Sequence, residues 1–463
     1  MELPNGSPVI ATTPTTAGGA YAADIAITSP AAGARVSGVV EVRATVALKP
    51  GEQVTSPVVQ TIDGAQAPMF PAAEGGGVYV ALVDTGKLPN GRQVLVVFAT
   101  PKGRGARQEV YTDESWNADR EVRRAELPIV VRNPYAFYWG DIHAHTSYSD
   151  GGWYPNEVYR YARDTAKLDF FAVTDHEEIM TQDAYADIVA QAESFDERGR
   201  FVALYGVERS NDDIGHLCYY MSPARLLPTD LTAFYRAMEV QGILGHFNHP
   251  WKNGAPEEWH NDFQDFRYSP EGDRSMAMVE VRSRSEEECY IAMLDNGWHV
   301  GAAGDVDAHA PGWGQGPTWT VVLAKELTRE GILEAMRARR TYSTADRNMK
   351  LEFTLDGEDM GARISRPAGR YEFSISVDDP DEADVVESVD VFLDGKIAAS
   401  MGRVDMSESM VKKFSLTGPL TFTPGNHYCF VRVTQAEGKT TWSSPIWVSA
   451  YEYVPLPMKK REE

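Results

Sequence analysis

Histidine, aspartate and glutamate side chains are concentrated between His143 and His309, at spacings that suit metal binding. Seven of the ten histidines of the chain lie in this segment close to the end of an apolar run. The three cysteines are far apart and form no CxxC pair, so a disulfide framework or a zinc ribbon is not indicated. Imidazole and carboxylate donors without thiolates suit zinc, manganese or iron. The sequence therefore predicts a site for divalent metal ions.

The candidate donors fall into five groups, most of which directly follow an apolar run. In an α/β barrel or parallel sheet, side chains after a strand meet at one edge. The groups are His143 and His145 with Asp150, then Asp175 with His176, then Glu208 with His216, then His246 with His249, and last Asp305, Asp307 and His309. On an extended chain, the His-x-His spacing places both imidazoles of the first group on one face. A carboxylate such as Glu208 is suited to bridge two metals.

Two of these groups leave a choice between neighbouring donors. His246 and His249 are three residues apart, so on a strand they face opposite ways and only one faces the site. We expect His249 to bind metal and His246 to be a hydrogen-bonded wall residue. In the last group, Asp307 and His309 offer a carboxylate and an imidazole together. Asp305 lies on the same face and stays the second choice.

The elements that must position these donors alternate between strand and helix. Strands are predicted at residues 137–139, 170–173, 201–207, 243–247, 278–281, 300–303 and 318–323. Helices are predicted at residues 156–166, 230–240, 286–296 and 329–339, with a further helix that Thr181 caps and that ends near Gly199. Such alternation over residues 137–345 predicts a parallel α/β barrel or sheet.

The segments on either side of residues 137–345 have a different pattern. Short β-branched runs separated by Gly, Pro and Asn turns predict a β-sandwich at residues 23–132 and a second one at residues 349–453. The first of these resembles immunoglobulin-like modules. Residues 1–22 and 454–463 are expected to be flexible. We expect an exported protein whose leader is absent from the sequence as given.

Size and charge restrict the class of protein. A chain of 463 residues predicts two to three domains, and no apolar run approaches the length of a membrane span. The formal net charge of −23 makes nucleic acid an unsuitable partner, because an acidic surface repels phosphate backbones. A small ester remains compatible, since bound divalent cations invert the local potential. Oligomeric state cannot be inferred from the sequence.

Two motifs give the chain a family resemblance. Residues 140–151, GDIHAHTSYSDG, and residues 168–176, LDFFAVTDH, resemble the first two motifs of the polymerase and histidinol phosphatase (PHP) family of metal-dependent phosphoesterases. The resemblance covers residues 137–345 and implies a distorted seven-stranded α/β barrel that holds two or three metals. It implies three sets of ligands: His143, His145, Glu208 and Asp307; Glu208, His216 and His249; and Asp150, His176 and His309.

The resemblance also implies a reaction. The leading interpretation is hydrolysis of phosphate mono- or diesters by a hydroxide that bridges two metals. A barrel between β modules also resembles the exported branch that includes carbamate and carboxyl ester hydrolases, so a carboxyl or carbamic ester is the alternative substrate. A non-enzymatic surface binding protein is the third interpretation.

Two further residues are candidates for catalytic roles. Asp175 is expected to orient His176 or to shuttle a proton. Arg282, with Arg284 and Lys252, is a candidate for binding an anionic oxygen of the substrate, although ordinary surface charge also explains these three residues.

Overall fold

The structure is a computed structural model, and it describes part of the chain. The described residues are 25–47, 57–62, 64–73, 75–99, 123–210, 215–226, 230–250, 263–381, 385–402 and 413–452. The predicted flexible ends lie outside these ranges. Within them, no helix has both the length and the apolar character needed to cross a membrane. The chain divides into two compact units, Met1–Pro134 and Tyr135–Glu463.

The first unit consists of two β-sheets that share one core. Its strands are β1 (Ile25–Ser29), β2 (Ala34–Val36), β3 (Val39–Val46), β4 (Val58–Gln60), β5 (Gln66–Pro68), β6 (Phe70–Pro71), β7 (Val78–Asp84), β8 (Gly91–Ala99) and β9 (Arg123–Val131). One sheet has the order β1-β3-β7-β6 and the other β2-β9-β8-β4-β5. In β3, the buried Val42, Ala44 and Val46 alternate with polar residues, which is why this strand has one inner face. An immunoglobulin-like topology stays a prediction.

The second unit begins with mixed strands and helices. The strands are β10 (Ala136–Asp141), β11 (Phe170–Val173), β12 (Val202–Arg209), β13 (Leu217–Tyr220), β14 (Leu244–Phe247), β15 (Met276–Glu280), β16 (Gly301–Ala303), β17 (Trp319–Ala324) and β18 (Thr341–Thr344). The helices are α1 (Pro155–Asp164), α2 (Gln182–Phe195), α3 (Leu231–Gln241), α4 (Phe263–Phe266), α5 (Pro270–Ser275), α6 (Arg284–Asp295) and α7 (Arg329–Arg337). The class is thus mixed α/β and rich in strands.

Four helices begin at capping residues that the sequence displays. The side chains of Thr181, Asp230, Ser283 and Thr328 each accept a hydrogen bond from a backbone N–H in the first turn of α2, α3, α6 and α7. These bonds satisfy amide groups that have no partner inside the helix. Helix α2 ends at Phe195, four residues before the predicted end at Gly199.

Not all strands of this region are parallel, contrary to the simple strand–helix alternation. Strands β10, β11 and β12 run parallel, as do β14, β15 and β16. Strand β13 lies antiparallel between β12 and β14, and β17 is antiparallel to both β10 and β18. The predicted alternation of parallel strands and helices therefore fails at β13, a strand that the sequence analysis did not predict.

Side-chain hydroxyl groups of β17 and β18 form hydrogen bonds with the backbone of β16 and of the residues that directly follow β15 and β16. Thr341 Oγ1 donates to Ala302 O over 2.9 Å, and Ser343 Oγ donates to Val281 O over 2.6 Å. Thr320 Oγ1 accepts from Gly304 N over 3.0 Å. Among the described residues, no backbone ladder joins β16 to β17 or β18. A closed seven-stranded barrel stays a prediction.

The remainder of the second unit is built of strands. They are β19 (Lys350–Leu355), β20 (Glu358–Asp359), β21 (Arg363–Pro367), β22 (Gly369–Asp378), β23 (Val386–Leu393), β24 (Lys396–Met401), β25 (Lys413–Phe422), β26 (Gly425–Gln435), β27 (Thr440–Ser443) and β28 (Ile446–Tyr451). One sheet has the order β20-β19-β22-β25, and β18 pairs with β27 so that the large sheet continues into this region. The predicted separate sandwich at residues 349–453 stays a prediction.

Candidate metal centre

The nine predicted ligands lie at one edge of the curled sheet. Strands β10, β11, β14 and β16 each end two or more residues before a ligand, and β12 contains one at its penultimate position. The carboxyl ends of parallel neighbours meet at one edge, which brings side chains distant in sequence together. The ligands at this edge are His143, His145, Asp150, His176, Glu208, His216, His249, Asp307 and His309.

The first group consists of His143, His145, Glu208 and Asp307. Asp307 Oδ1 lies 3.3 Å from His143 Nε2 and 3.0 Å from His145 Nε2. Glu208 approaches the same two nitrogens, with Oε1 at 3.4 Å from His143 Nε2 and Oε2 at 3.3 Å from His145 Nε2. The two histidine nitrogens are themselves 3.3 Å apart. Donor atoms of these four residues therefore surround one point.

These separations fit a shared metal ion. Two donors bound at about 2.0–2.2 Å to one ion, at angles of about 90–110°, lie about 2.8–3.6 Å apart. All the distances quoted for this group fall within that interval. Asp307 Oδ1 is also buried without a hydrogen-bond partner, although buried polar atoms are rarely left unpaired. The donor set and the unpaired oxygen both fit a divalent ion.

The second group shares Glu208 with the first and adds two histidines. Glu208 Oε1 lies 3.1 Å from His216 Nδ1 and 3.3 Å from His249 Nε2. The Nε2 atom of His249 is buried and has no hydrogen-bond partner, which is rare for a buried polar atom. Glu208 itself is only 1% exposed. One buried carboxylate therefore lies between two groups of imidazoles, as expected of a bridging ligand.

The third group is the most open of the three. Asp150 Oδ1 lies 3.5 Å from His176 Nε2 and 3.3 Å from His309 Nε2. The side chains of Asp150 and His309 are 50% and 37% exposed. The ring of His145 contacts both imidazoles of this group, with its centroid 4.3 Å from that of His176 and 4.1 Å from that of His309. Solvent therefore reaches the centre from the side of this group.

The charges of the centre are coupled. Burial by itself would raise the pKa of Glu208, but the imidazoles of His143, His145 and His176 outweigh it and hold the pKa well below its usual range. Burial likewise opposes ionisation of Asp307, yet His143 and His145 lower its pKa to about 2. Conversely, burial would lower the pKa of His143, and the carboxylates of Asp307, Glu208 and Glu280 raise it well above its usual value. The carboxylates of Glu208 and Asp307 are thus ionised and can bind cations.

The backbone is in the left-handed region at two ligands. His249 has φ 24° and Asp307 has φ 54°. Such conformations cost roughly 1–3 kcal/mol for residues other than glycine and cluster at functional sites. The strain at these two positions is therefore balanced by the surrounding structure, which directs both side chains into the centre.

Glu280 and Asn248 support the ligands, and the sequence analysis missed both. Glu280 Oε1 accepts from His143 Nδ1 over 2.7 Å, and its Oε2 accepts from the backbone N–H of His249 over 2.7 Å. Asn248 Nδ2 donates to Glu208 Oε1 over 2.9 Å. Glu280 ends the fully buried strand β15 just as Glu208 lies near the end of β12, so the same pattern of a carboxylate ending an apolar run could have identified it.

Asp175 is buried beside the third group, but its hydrogen bonds go to the loop after β10. It accepts from Thr146 N over 2.8 Å, from Thr146 Oγ1 over 2.7 Å and from Ser149 Oγ over 2.5 Å. His176 Nδ1 instead lies 2.6 Å from Ser210 Oγ and 3.0 Å from Glu208 Oε2. Asp175 thus holds the loop that carries Asp150, and its predicted effect on His176 stays a prediction.

Arg282 forms ion pairs with two glutamates, one of which is the hydrogen-bond partner of His143. Its guanidinium is 3.2 Å from Glu280 Oε2 and 2.8 Å from Glu286 Oε1. Arg282 and Arg284 also line a cavity of about 360 Å³ together with Thr318, Thr434 and Trp442. Lys252, the third candidate for binding an anionic oxygen, lies outside the described residues.

His246 and Asp305, the second choices for metal binding, lie on the inner side of the centre. His246 Nδ1 is 3.2 Å from Tyr220 Oη, in line with its expected role as a wall residue, and its Nε2 is 3.4 Å from Asp305 Oδ2. Burial lowers the pKa of His246 to about 3. Burial and the nearby Asp141 raise the pKa of Asp305 well above its usual value. Asp307 lies with His143, His145 and Glu208, whereas Asp305 lies with His246 and Glu280, and the choice of Asp307 as the ligand stays a prediction.

Comparison with known proteins yields distant likenesses. No family model matches the chain. An uncharacterised protein of Chlamydia pneumoniae is 23% identical over 363 residues, and one of Chlamydia muridarum is 22% identical over 357 residues; each match covers 67% of this chain. The chain spans 57% of the length of these relatives. They supply no function that could be transferred.

Solved structures are likewise similar only at a distance. A two-domain protein from Bacteroides vulgatus, described as containing a predicted PHP-like metal-dependent phosphoesterase, is 19% identical with a TM-score of 0.39, covering 65% of this chain and 91% of its own. The endo-β-1,4-mannanase from Thermotoga petrophila is 17% identical with a TM-score of 0.19, covering 25% of this chain and 21% of its own. Function must therefore be inferred from the site itself.

Proposed function

We propose that the protein is a metal-dependent hydrolase that cleaves phosphate mono- or diesters. The observation that carries this proposal is the position of Glu208, whose two carboxylate oxygens lie within 3.4 Å of five histidine nitrogens from four segments of the chain. A shared carboxylate between neighbouring ion sites is the arrangement needed for adjacent metals that act on one ester group. The motif resemblance of residues 140–151 and 168–176 supports a phosphate ester in particular.

Two or three zinc, manganese or iron ions held by the nine ligands would supply Lewis acidity, which lowers the pKa of a bound water and stabilises negative charge on the ester oxygens. The residues of the chain would hold these ions. Glu280 fixes the ring of His143 and the backbone of His249, so that both Nε2 atoms face Glu208. A distorted seven-stranded barrel is the scaffold that we propose for this arrangement.

The substrate is proposed to approach from the side of the third group, because Asp150 and His309 are the most exposed of the ligands. Arg282 is engaged by Glu280 and Glu286, so its contacts support a role in positioning Glu280. Asp175 acts on the same side by bracing the loop that carries Asp150. Hydrolysis thus depends on residues that hold donors in place as much as on the donors.

A panel of chromogenic esters tests the proposal. Metal-loaded protein is assayed with aryl phosphate mono-, di- and triesters and with aryl carboxyl esters and carbamates, and Glu208→Gln serves as the matched inactive control. Turnover of the phosphate mono- or diesters that is lost in the control supports the proposal. Turnover of carboxyl esters or carbamates alone would replace it with the alternative substrate class. No turnover of any ester would favour a non-enzymatic binding protein.

A further inference from the structure

A second cluster of ionisable side chains lies beneath the metal centre and contains none of the nine predicted ligands. His246 belongs to β14, Glu280 ends β15 and Asp305 follows β16, and these three strands are parallel neighbours. One donor atom from each residue lies within 4.8 Å of the donors of the other two. All three side chains are completely buried. The arrangement places an imidazole and two carboxylates around one interior point.

Two atoms of this cluster face each other without a hydrogen-bond partner. His246 Nε2 and Asp305 Oδ2 are 3.4 Å apart, and neither has a hydrogen-bond partner. Asp305 is oriented by its other oxygen, which accepts from Ile142 N and Thr320 Oγ1 over 3.0 Å each. The Oδ2 atom is therefore held in place facing the imidazole. Buried polar atoms normally have a partner, so these two atoms indicate a bound species between them.

A cation between these two atoms would give each of them a partner. Tyr220 donates its single hydroxyl proton to Ile142 O over 3.0 Å. The Nδ1 atom of His246 lies 3.2 Å from the tyrosine oxygen, and a proton on Nδ1 that is donated to this oxygen would leave Nε2 as a lone pair. In that tautomer, and with Asp305 ionised by a bound cation, Nε2 and Oδ2 are both acceptors that face each other away from water. A positive charge between them satisfies both atoms.

We propose that His246, Glu280 and Asp305 bind a further divalent metal ion, separate from the three groups described above. The separation of 3.4 Å between His246 Nε2 and Asp305 Oδ2 suits two ligands of one tetrahedral ion, which lie about 3.3–3.6 Å apart. An imidazole with two carboxylates suits zinc, manganese or iron. Because the site has no exposed ligand, the ion is structural. It ties together the three strands that present His249, Glu280 and Asp307.

Metal counting with a shape-conserving variant tests the site. Asp305→Asn keeps the size of the side chain and can donate an amide proton to His246 Nε2, but it removes the negative charge. We expect the purified protein to lose one equivalent of metal per chain in elemental analysis, and its Tm to fall. His246→Gln is expected to do the same. Wild-type metal content with an unchanged Tm in Asp305→Asn would show that the pair shares a proton, which overturns the proposal.

A matched control and a second measurement separate this site from its surroundings. Asp273 and His299 form another buried carboxylate–imidazole pair, with Oδ2 2.9 Å from Nδ1, so Asp273→Asn is expected to leave the metal content unchanged. Should the Asp305 variant not fold, anomalous scattering from wild-type crystals decides. A peak between His246 and Asp305 supports the proposal, and its absence in crystals with peaks at the outer groups overturns it. Neither readout depends on ester hydrolysis, so failure of the proposed function is distinguishable.

Discussion

Glu280 is the hydrogen-bond partner of His143, with Oε1 2.7 Å from Nδ1. This bond fixes the tautomer of the imidazole, because a proton on Nδ1 leaves Nε2 as the lone pair that faces Asp307 and Glu208. Burial would raise the pKa of Glu280, but Arg282 and His143 hold it well below its usual range. The Glu280 carboxylate is therefore ionised, and its hydrogen bond makes the Nε2 lone pair of His143 a stronger donor to a metal.

Replacing Glu280 by Gln is expected to weaken metal binding or kcat/KM by about 10- to 100-fold, as is typical for partners of metal-bound histidines. The measurement is a metal titration of the chelated variant followed by steady-state kinetics. Glu287→Gln is the matched control, because Glu287 is a buried carboxylate that pairs with Arg432 and contacts none of the ligands. Metal affinity and activity equal to wild type in Glu280→Gln would contradict the positioning role.

Replacing Glu208 by Gln is expected to have a larger effect, since it alters the proposed ligand that two groups share. Removing a hydrogen-bond partner of a metal ligand lowers metal affinity or activity by up to about 100-fold. Removing the ligand itself should therefore lower kcat/KM by more than about 100-fold. Elemental analysis of the variant should show loss of metal from both groups. A variant with kcat/KM within tenfold of wild type would exclude Glu208 as the bridging ligand.

Asp307→Asn tests the choice between the two aspartates without disturbing the backbone. Asp307 has φ 54°, and asparagine tolerates this left-handed conformation. We expect kcat/KM to fall by more than about 100-fold while the Tm stays close to that of wild type, because the loss concerns a ligand and not the fold. Circular dichroism and kinetics on the same sample provide the comparison. An active, fully metal-loaded Asp307→Asn protein would remove Asp307 from the ligand set.

Metal binding is expected to release protons at neutral pH. Although burial opposes it, the neighbouring carboxylates raise the pKa of His143 well above 6.5, so the metal-free imidazole is protonated at pH 7. A metal takes the Nε2 lone pair, the proton leaves, and the apparent affinity therefore rises with pH. Isothermal titration in two buffers of different ionisation enthalpy measures the release. Identical observed enthalpies in both buffers would contradict the shifted pKa.

His309→Gln is expected to remove one metal equivalent and leave the others in place. His309 is 37% exposed and belongs to the third group, which shares neither Glu208 nor Asp307 with the other two. The Tm should change little, since substitutions at exposed positions usually do. Elemental analysis counts the remaining ions. Wild-type metal content in this variant would show that the third group does not hold an ion.

Much of the scaffold could be predicted because its signals are local. The buried run Phe170–Val173 coincides with β11, and the predicted helices at 230–240 and 329–339 lie within one or two residues of α3 and α7. Strand β13 was missed, although its four residues Leu217–Tyr220 are all buried, like those of β11. Its antiparallel direction depends on partners from β12 and β14, which no local pattern contains.

The nine residues that lie together in the structure could be selected from position and spacing, but their grouping could not be derived from the residues without the fold. On an extended chain, the side chains of Asp305 and Asp307 would lie on the same face. In the structure Asp307 has a left-handed backbone conformation, which no local pattern predicts. Glu280 contacts His143 across 137 positions of sequence, so its position at the end of an apolar run could mark it as a candidate, but its partner follows only from the order of strands in the sheet. The pairing of His246 with Asp305 likewise arises from neighbouring parallel strands.

The most direct test of the central claim is hydrolysis of an aryl phosphate mono- or diester by the wild-type protein before chelation, after chelation and after metal is restored. We predict that turnover disappears with the metal, returns when zinc, manganese or iron is added, and is absent throughout in Glu208→Gln. Turnover that survives complete removal of metal, or a fully metal-loaded protein that hydrolyses neither ester, would contradict the assignment of a metal-dependent phosphate ester hydrolase.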